Sequence, residues 1–172
     1  MEELKNLKVL FNEEQIQEKI QEMAEKLDRD YEGKDVTVVC ILNGAVFFMV
    51  DLVKKMKTPI ILETLQARSY EGTESTGEVK LLKDIDGDIE GRDVLLVEDI
   101  IDTGRTLKFV KEHLLKKNPK SLKIATLVTK TGRMVEKVDI DYTCIKLTNE
   151  YVVGYGFDLD GYGRNLPYIG CL

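Results

Sequence analysis

No stretch of the 172-residue sequence is apolar over anything near the roughly 20 residues that a membrane-spanning helix requires, so no membrane partner is expected. The first residues, MEELKNLKVLF, mix charges among their apolar positions and so lack the pattern of a secretory signal, and the two absences together imply a cytoplasmic protein. Cysteine is scarce. Cys40, Cys144 and Cys171 are far apart, odd in number and set in apolar surroundings, which points away from disulfides and paired-cysteine metal sites and toward buried free thiols. Histidine is scarcer still: the one copy, His113, lies among lysines in LKFVKEHLLKK and is expected at a solvated helix position. Positive charge is also short, 25 Lys and Arg against 31 Asp and Glu. The net charge of −6 argues against a nucleic-acid partner, which needs a basic face toward the phosphate backbone. There is no internal repeat, low-complexity tract or linker long enough to split the chain.

What remains is 43% hydrophobic and 33% charged, the balance of a globular domain that can fold on burial alone, and residues 1–172 are expected to form one domain. Asn12 can cap a helix whose apolar positions Ile16, Ile20, Met23, Ala24 and Leu27 recur at three-to-four spacing, ending near DRDYEGKD. DVTVVCIL reads as a buried strand, and NGAVFFMVDLVKKM as a turn followed by a helix apolar almost all round, which implies burial on more than one side and a possible subunit contact. TPIILETLQARSY and KLLKDI read as strands around EGTESTGEV, a small-residue stretch suited to a mobile hairpin loop. A helix with Leu107, Val110 and Leu114 on one face and the strands LKIATLV and YTCIKL follow. Strands alternating with helices imply an α/β fold with a mainly parallel sheet.

The chemistry concentrates in VLLVEDIIDTGRTL. A strand apolar on both faces ends on Glu98, Asp99 and Asp102, and a donor-rich turn of Thr103, Gly104, Arg105 and Thr106 leads into the next helix. In an open α/β sheet such strand ends converge on ligands, and a glycine turn at a helix start can cradle a phosphate. The turn is neither GxxxxGK[ST] nor GxGxxG. Carboxylates that accept hydroxyl hydrogen bonds, set beside a phosphate cradle, describe a sugar phosphate site. Asp102 fits two roles, as a helix cap or as a group that exchanges a proton with the reacting center.

VLLVEDIIDTGRTL resembles the phosphoribosyl pyrophosphate (PRPP) signature of type I phosphoribosyltransferases, and EDIIDTG is similar to the hypoxanthine-guanine branch. ILNGAVFF, RSYEGTESTGEVK, LVTK and YVVGYGFDLDGYGRNLPYIG resemble other segments of that branch, in order, so that the likeness runs from about Val36 to the C-terminus. The resemblance implies a core over about 10–145, a C-terminal hood over about 146–172 that the N-terminal residues could join, and a flexible lid that begins at Ser69 and Tyr70. It further implies transfer of phosphoribosyl from PRPP to hypoxanthine or guanine, giving IMP or GMP and pyrophosphate, in a homodimer or homotetramer.

Residue by residue, the resemblance puts Glu98 and Asp99 on the ribose hydroxyls and Asp102, Thr103, Gly104, Arg105 and Thr106 around the 5′-phosphate, with Asp102 as acid/base toward purine N7. Lys130 would meet the exocyclic oxygen of the purine, Tyr151 would stack on the base, and Val152 and Asp158 would complete the purine site. Asn43, Gly44, Ala45 and Arg164 would face pyrophosphate, and Mg2+ would be held by Glu98, Asp99 and, through water, Asp158. Asn43 stands where the family usually has lysine, and the peptide before it is cis in many members. An oxocarbenium-like ribose and an anionic leaving group require a cation at the pyrophosphate and exclusion of water, the second supplied by a closing lid. The rival from another class is a regulatory protein on the same fold that senses nucleotides and binds RNA or DNA.

Overall fold

The computed structural model describes residues 3–70, 78–132 and 134–172; most of the expected lid, 71–77, lies outside them. After a 3-10 turn (Glu3–Asn6), a strand absent from the sequence reading, β1 (Lys8–Phe11), leads into helix α1 (Glu13–Asp30). Asn12 caps α1 in a reciprocal capping box with Gln15, Glu13 and Glu14 complement the helix dipole, and Ile16, Ile20, Met23, Ala24 and Leu27 are all buried as their spacing requires. The chain continues through β2 (Val36–Leu42), α2 (Val46–Lys55), β3 (Ile60–Tyr70), β4 (Glu78–Lys83), β5 (Asp93–Ile101), α3 (Arg105–Leu115), β6 (Ser121–Lys130), β7 (Tyr142–Leu147), β8 (Val152–Val153) and β9 (Ile169–Cys171).

Six strands form the main sheet in the order β4-β3-β2-β5-β6-β7, parallel except for the antiparallel β3–β4 hairpin. β5 is central, and Val94 through Val97 are completely buried because both faces are covered. One apolar cluster joins α1 and α2 to one face, and a second joins Leu107, Val110 and Leu114 of α3 to the other. Parallel neighbors need a crossover, and helices usually supply it. Between β6 and β7 the crossover is irregular chain, which still packs Met134, Val138 and Ile140 on the second cluster.

A second, three-stranded sheet has the order β1-β9-β8. The N-terminal strand pairs antiparallel with β9, and Val152 and Ile169 join the main core cluster. Helix α2 departs from expectation: Phe48, Met49 and Leu52 are buried, but Phe47 and Val50 remain 38% and 41% exposed, so within one chain it has a single buried face. His113 also departs, since its Nε2 lies within hydrogen-bond distance, 2.9 Å, of Asp84 Oδ2 with Lys117 beside it, a contact that ties α3 to the end of β4. The cysteines are free. Burial pushes the Cys40 and Cys144 thiols up to about 12, which keeps them protonated. Among the described residues no helix is long and apolar enough to cross a membrane.

Candidate active site

The ends of β2 and β5 open into a cavity of about 350 Å³ lined by Leu42, Gly44, Ser69, Glu98, Asp99, Asp102, Thr103, Gly104, Thr106 and Arg164, among others. One cavity thus gathers residues from four separate stretches of the sequence. A larger groove, about 870 Å³, lies where β2 and β3 begin, but it contains none of the expected site residues. Size does not identify the site.

Glu98 and Asp99 fall within β5 rather than after it, because hydrogen bonding to β6 continues past them. Glu98 is 8% exposed, and burial, followed by the adjacent Asp99 charge, pushes its carboxyl well above the usual range. Burial raises Asp99 too, although Glu98, the Ile100 N–H and the Arg164 charge act against it. Two desolvated acids side by side are an arrangement that a cation or a set of hydroxyl donors would relieve.

Their oxygens are of the hard type that suits Mg2+, which commonly takes one or two carboxylates and completes its shell with substrate phosphates and water. Among the described residues no three acids, histidines or cysteines converge into a ready-made metal cage. Asp158 already receives the Arg164 Nη2 at 2.5 Å and the Gly161 N–H at 2.8 Å.

Arg164 is not a free surface charge: besides Asp158 it donates to the Gly156 carbonyl at 2.5 Å. It also flanks the turn after β2. A Cβ on Gly44 would come within 1.7 Å of Asp99 Oδ2 and 3.2 Å of Arg164 Nη1, so only glycine allows this turn to sit against the acid pair. Ala45 is fully buried, Asn43 is exposed, and the Leu42–Asn43 peptide is cis, as the resemblance implies.

At the other side of the cavity, Gly104 occupies the cap position of α3 with φ +81°, and no side chain caps the helix. The cap thus falls two residues after Asp102. Asp102 lies 3.7 Å from the Nζ of Lys130, whose side chain is only 5% exposed, so Lys130 is no solvated strand-end lysine. Arg105 opens the helix, its N–H 3.5 Å from Thr103 Oγ1.

Tyr151 is about half exposed rather than packed in the core, and its hydroxyl donates to the Asp158 carbonyl at 3.3 Å. Val152 is buried at the start of β8, opposite Cys171. Ser69 lines the cavity near the top of β3, and Tyr70 pairs in register with Glu78.

Two contacts escaped sequence reasoning. The Thr103 carbonyl accepts from the N–H groups of Val135 (3.0 Å) and Glu136 (2.9 Å), and Glu136 Oε2 meets Lys108 Nζ at 2.8 Å. Backbone donors leave no signature in side-chain identity; an i-to-distant charge pair such as Lys108 and Glu136 is the one hint the sequence holds.

The model of the phosphoribosyl transferase domain family matches residues 7–160. A hypoxanthine-guanine phosphoribosyltransferase from Streptococcus thermophilus is 47% identical over 96% of this chain and 92% of the relative, and one from Streptococcus mutans is 46% identical over the same shares. Among solved structures, a hypoxanthine phosphoribosyltransferase from Staphylococcus aureus superposes with a TM-score of 0.94 at 42% identity, covering 100% of this chain and 95% of that one.

Proposed function

The chain belongs to the phosphoribosyl transferase family, and from that premise we propose a purine salvage enzyme that moves the phosphoribosyl group of PRPP to N9 of hypoxanthine or guanine. The products are IMP or GMP and pyrophosphate. The observation that carries this reading is the Glu98–Asp99 pair next to the Thr103–Thr106 turn in one cavity, a shape that suits a ribose 5-phosphate.

In this reading Glu98 and Asp99 accept the ribose hydroxyls while the turn from Thr103 to Thr106 holds the 5′-phosphate with its N–H and hydroxyl donors. Asp102 faces the purine and exchanges a proton at N7 as N9 is alkylated, and Lys130 Nζ meets the exocyclic oxygen beside it. Tyr151 covers the base, with Val152 and Asp158 at its edge. The N–H groups around Asn43, Gly44 and Ala45, together with Arg164, take the pyrophosphate, while Ser69 and Tyr70 stand at the foot of the lid. Glu98 and Asp99, with Asp158 through water, would hold Mg2+, which when bound would supply positive charge toward the leaving pyrophosphate.

Residues 1–172 act as one domain with a core and a hood, since one apolar cluster spans both. The exposed Phe47 and Val50 on α2 suit a homodimer or homotetramer contact, and phosphorylated substrates that do not cross membranes suit the cytoplasm.

The purified protein with PRPP and Mg2+ should convert hypoxanthine and guanine to nucleotides, resolved by chromatography against xanthine and adenine. No nucleotide from either of the first two bases would overturn the reading.

A further inference from the structure

The crossover between β6 and β7 does more than connect two strands. Residues 134–140 lack regular structure, yet Met134, Val138 and Ile140 are anchored on the same apolar cluster as Leu107 and Val110 of α3. Between these anchors the chain presents its backbone to the phosphate turn. The Val135 and Glu136 N–H groups both donate to the Thr103 carbonyl, at 3.0 and 2.9 Å. The Glu136 carbonyl in turn fills the space beside Gly104, where a Cβ would come within 2.4 Å of it. The Glu136 carboxylate then closes on Lys108, whose own N–H makes the first helical bond to Gly104. Val135 has a side chain 62% exposed, so its place in the fold is not explained by burial.

Charge gives this arrangement its meaning. A carbonyl oxygen that turned into an anion cradle would repel the anion, and α3 has no side-chain cap to fix its entry. Thr103, Gly104 and Thr106 line the cavity while Val135 and Glu136 do not, so the two N–H groups pull the Thr103 oxygen toward the crossover and away from the ligand space.

We propose that the 134–140 strap is a positioning element for the substrate's 5′-phosphate, acting through the Val135 and Glu136 N–H groups on the Thr103 carbonyl. The strap touches the turn and not the ligand. The inference rests on the reading of the Thr103–Thr106 turn as the phosphate cradle, and the probes are chosen to separate the two.

Calorimetric affinities for IMP and for inosine, which lacks the phosphate, give the contribution of the cradle as a ratio. Glu136→Pro and Val135→Pro each delete one N–H, and each should weaken IMP by roughly tenfold with inosine unchanged, the loss expected of a misaligned charge-assisted bond. Glu136→Ala, which keeps its N–H and loses only the exposed Lys108 pair, should change the ratio by about twofold or less. In the wild-type protein, IMP should slow hydrogen exchange at the Val135 and Glu136 amides and inosine should not, a readout that needs no variant to fold. Proline variants that retain the wild-type ratio, or exchange at these amides that ignores IMP, would overturn the strap. A wild-type protein that binds IMP no better than inosine would instead overturn the phosphate cradle itself, and the strap's role with it.

Discussion

The two ends of the main sheet use aspartate and glutamate for opposite purposes. Where the parallel strands begin, acids are saturated with donors. Asp28 accepts the Lys57 and Thr58 N–H groups and the Thr58 hydroxyl at 2.8 to 3.0 Å. Partial burial acts upward on Asp28, but those donors outweigh it and hold the carboxyl below its usual range. The Tyr142 hydroxyl does the same for Asp30, and Asp141 accepts the Ile124 N–H at 2.8 Å. Where the strands of the core end, Glu98 and Asp99 are buried against each other and pushed upward. One end is finished by folding; the other is left for something that the chain does not contain. The larger groove lies at the finished end, which is why its volume is uninformative.

The sharpest break of this contrast is Asp102→Asn. It should lower turnover by roughly 100- to 10,000-fold, the usual worth of a positioned proton acceptor, with PRPP affinity and unfolding temperature nearly unchanged. Steady-state kinetics beside a thermal melt measure both, and full turnover would leave Asp102 without a chemical role.

Next in size, Asp28→Ala should cost about 1–2 kcal/mol of stability, since several bonds to one carboxylate are lost, and should leave turnover intact. Because folding lowers the Asp28 pKa, its contribution is present above the ordinary carboxylate range and disappears as pH falls through the folded value. Denaturant titrations at two pH values test this: a variant equally destabilized at neutral and strongly acidic pH contradicts it.

The smallest effect has the opposite sign. Glu98→Gln should stabilize the ligand-free protein by about 1 kcal/mol at neutral pH, because it removes a buried acid whose ionization the fold resists, while PRPP binding weakens. Folding raises the Glu98 pKa, so the unmodified protein loses stability as pH climbs from the ordinary carboxylate range toward the raised value, and the variant should lose less. A lower melting temperature for Glu98→Gln would make the pair structural and erase the distinction between the two ends.

Local rules carried much of this fold. The periodicity of Ile16 through Leu27 and of Leu107, Val110 and Leu114 identified the buried helix faces, because three-to-four spacing leaves little freedom about which side packs. The apolar run before Glu98 likewise identified the central strand. What stayed hidden depends on partners distant in sequence. Lys8–Phe11 becomes a strand because Ile169–Cys171 pairs with it, and His113 is hydrogen-bonded to Asp84 because β4 ends beside α3. The start of α3 was hidden too, since the cap falls on Gly104, in a left-handed conformation, two residues after Asp102.

The pairing of Lys8 with Cys171 also imposes an order in time. A nascent chain emerging from the ribosome can assemble the six-stranded sheet once β7 is made, but β1 has no partner until β9 is free. Tyr151, Asp158 and Arg164 belong to that final stretch, between β7 and β9. The growing polypeptide therefore carries the acid pair and the Thr103–Thr106 turn well before it carries the arginine that shares their cavity, and the lining is completed only once Arg164 has been made.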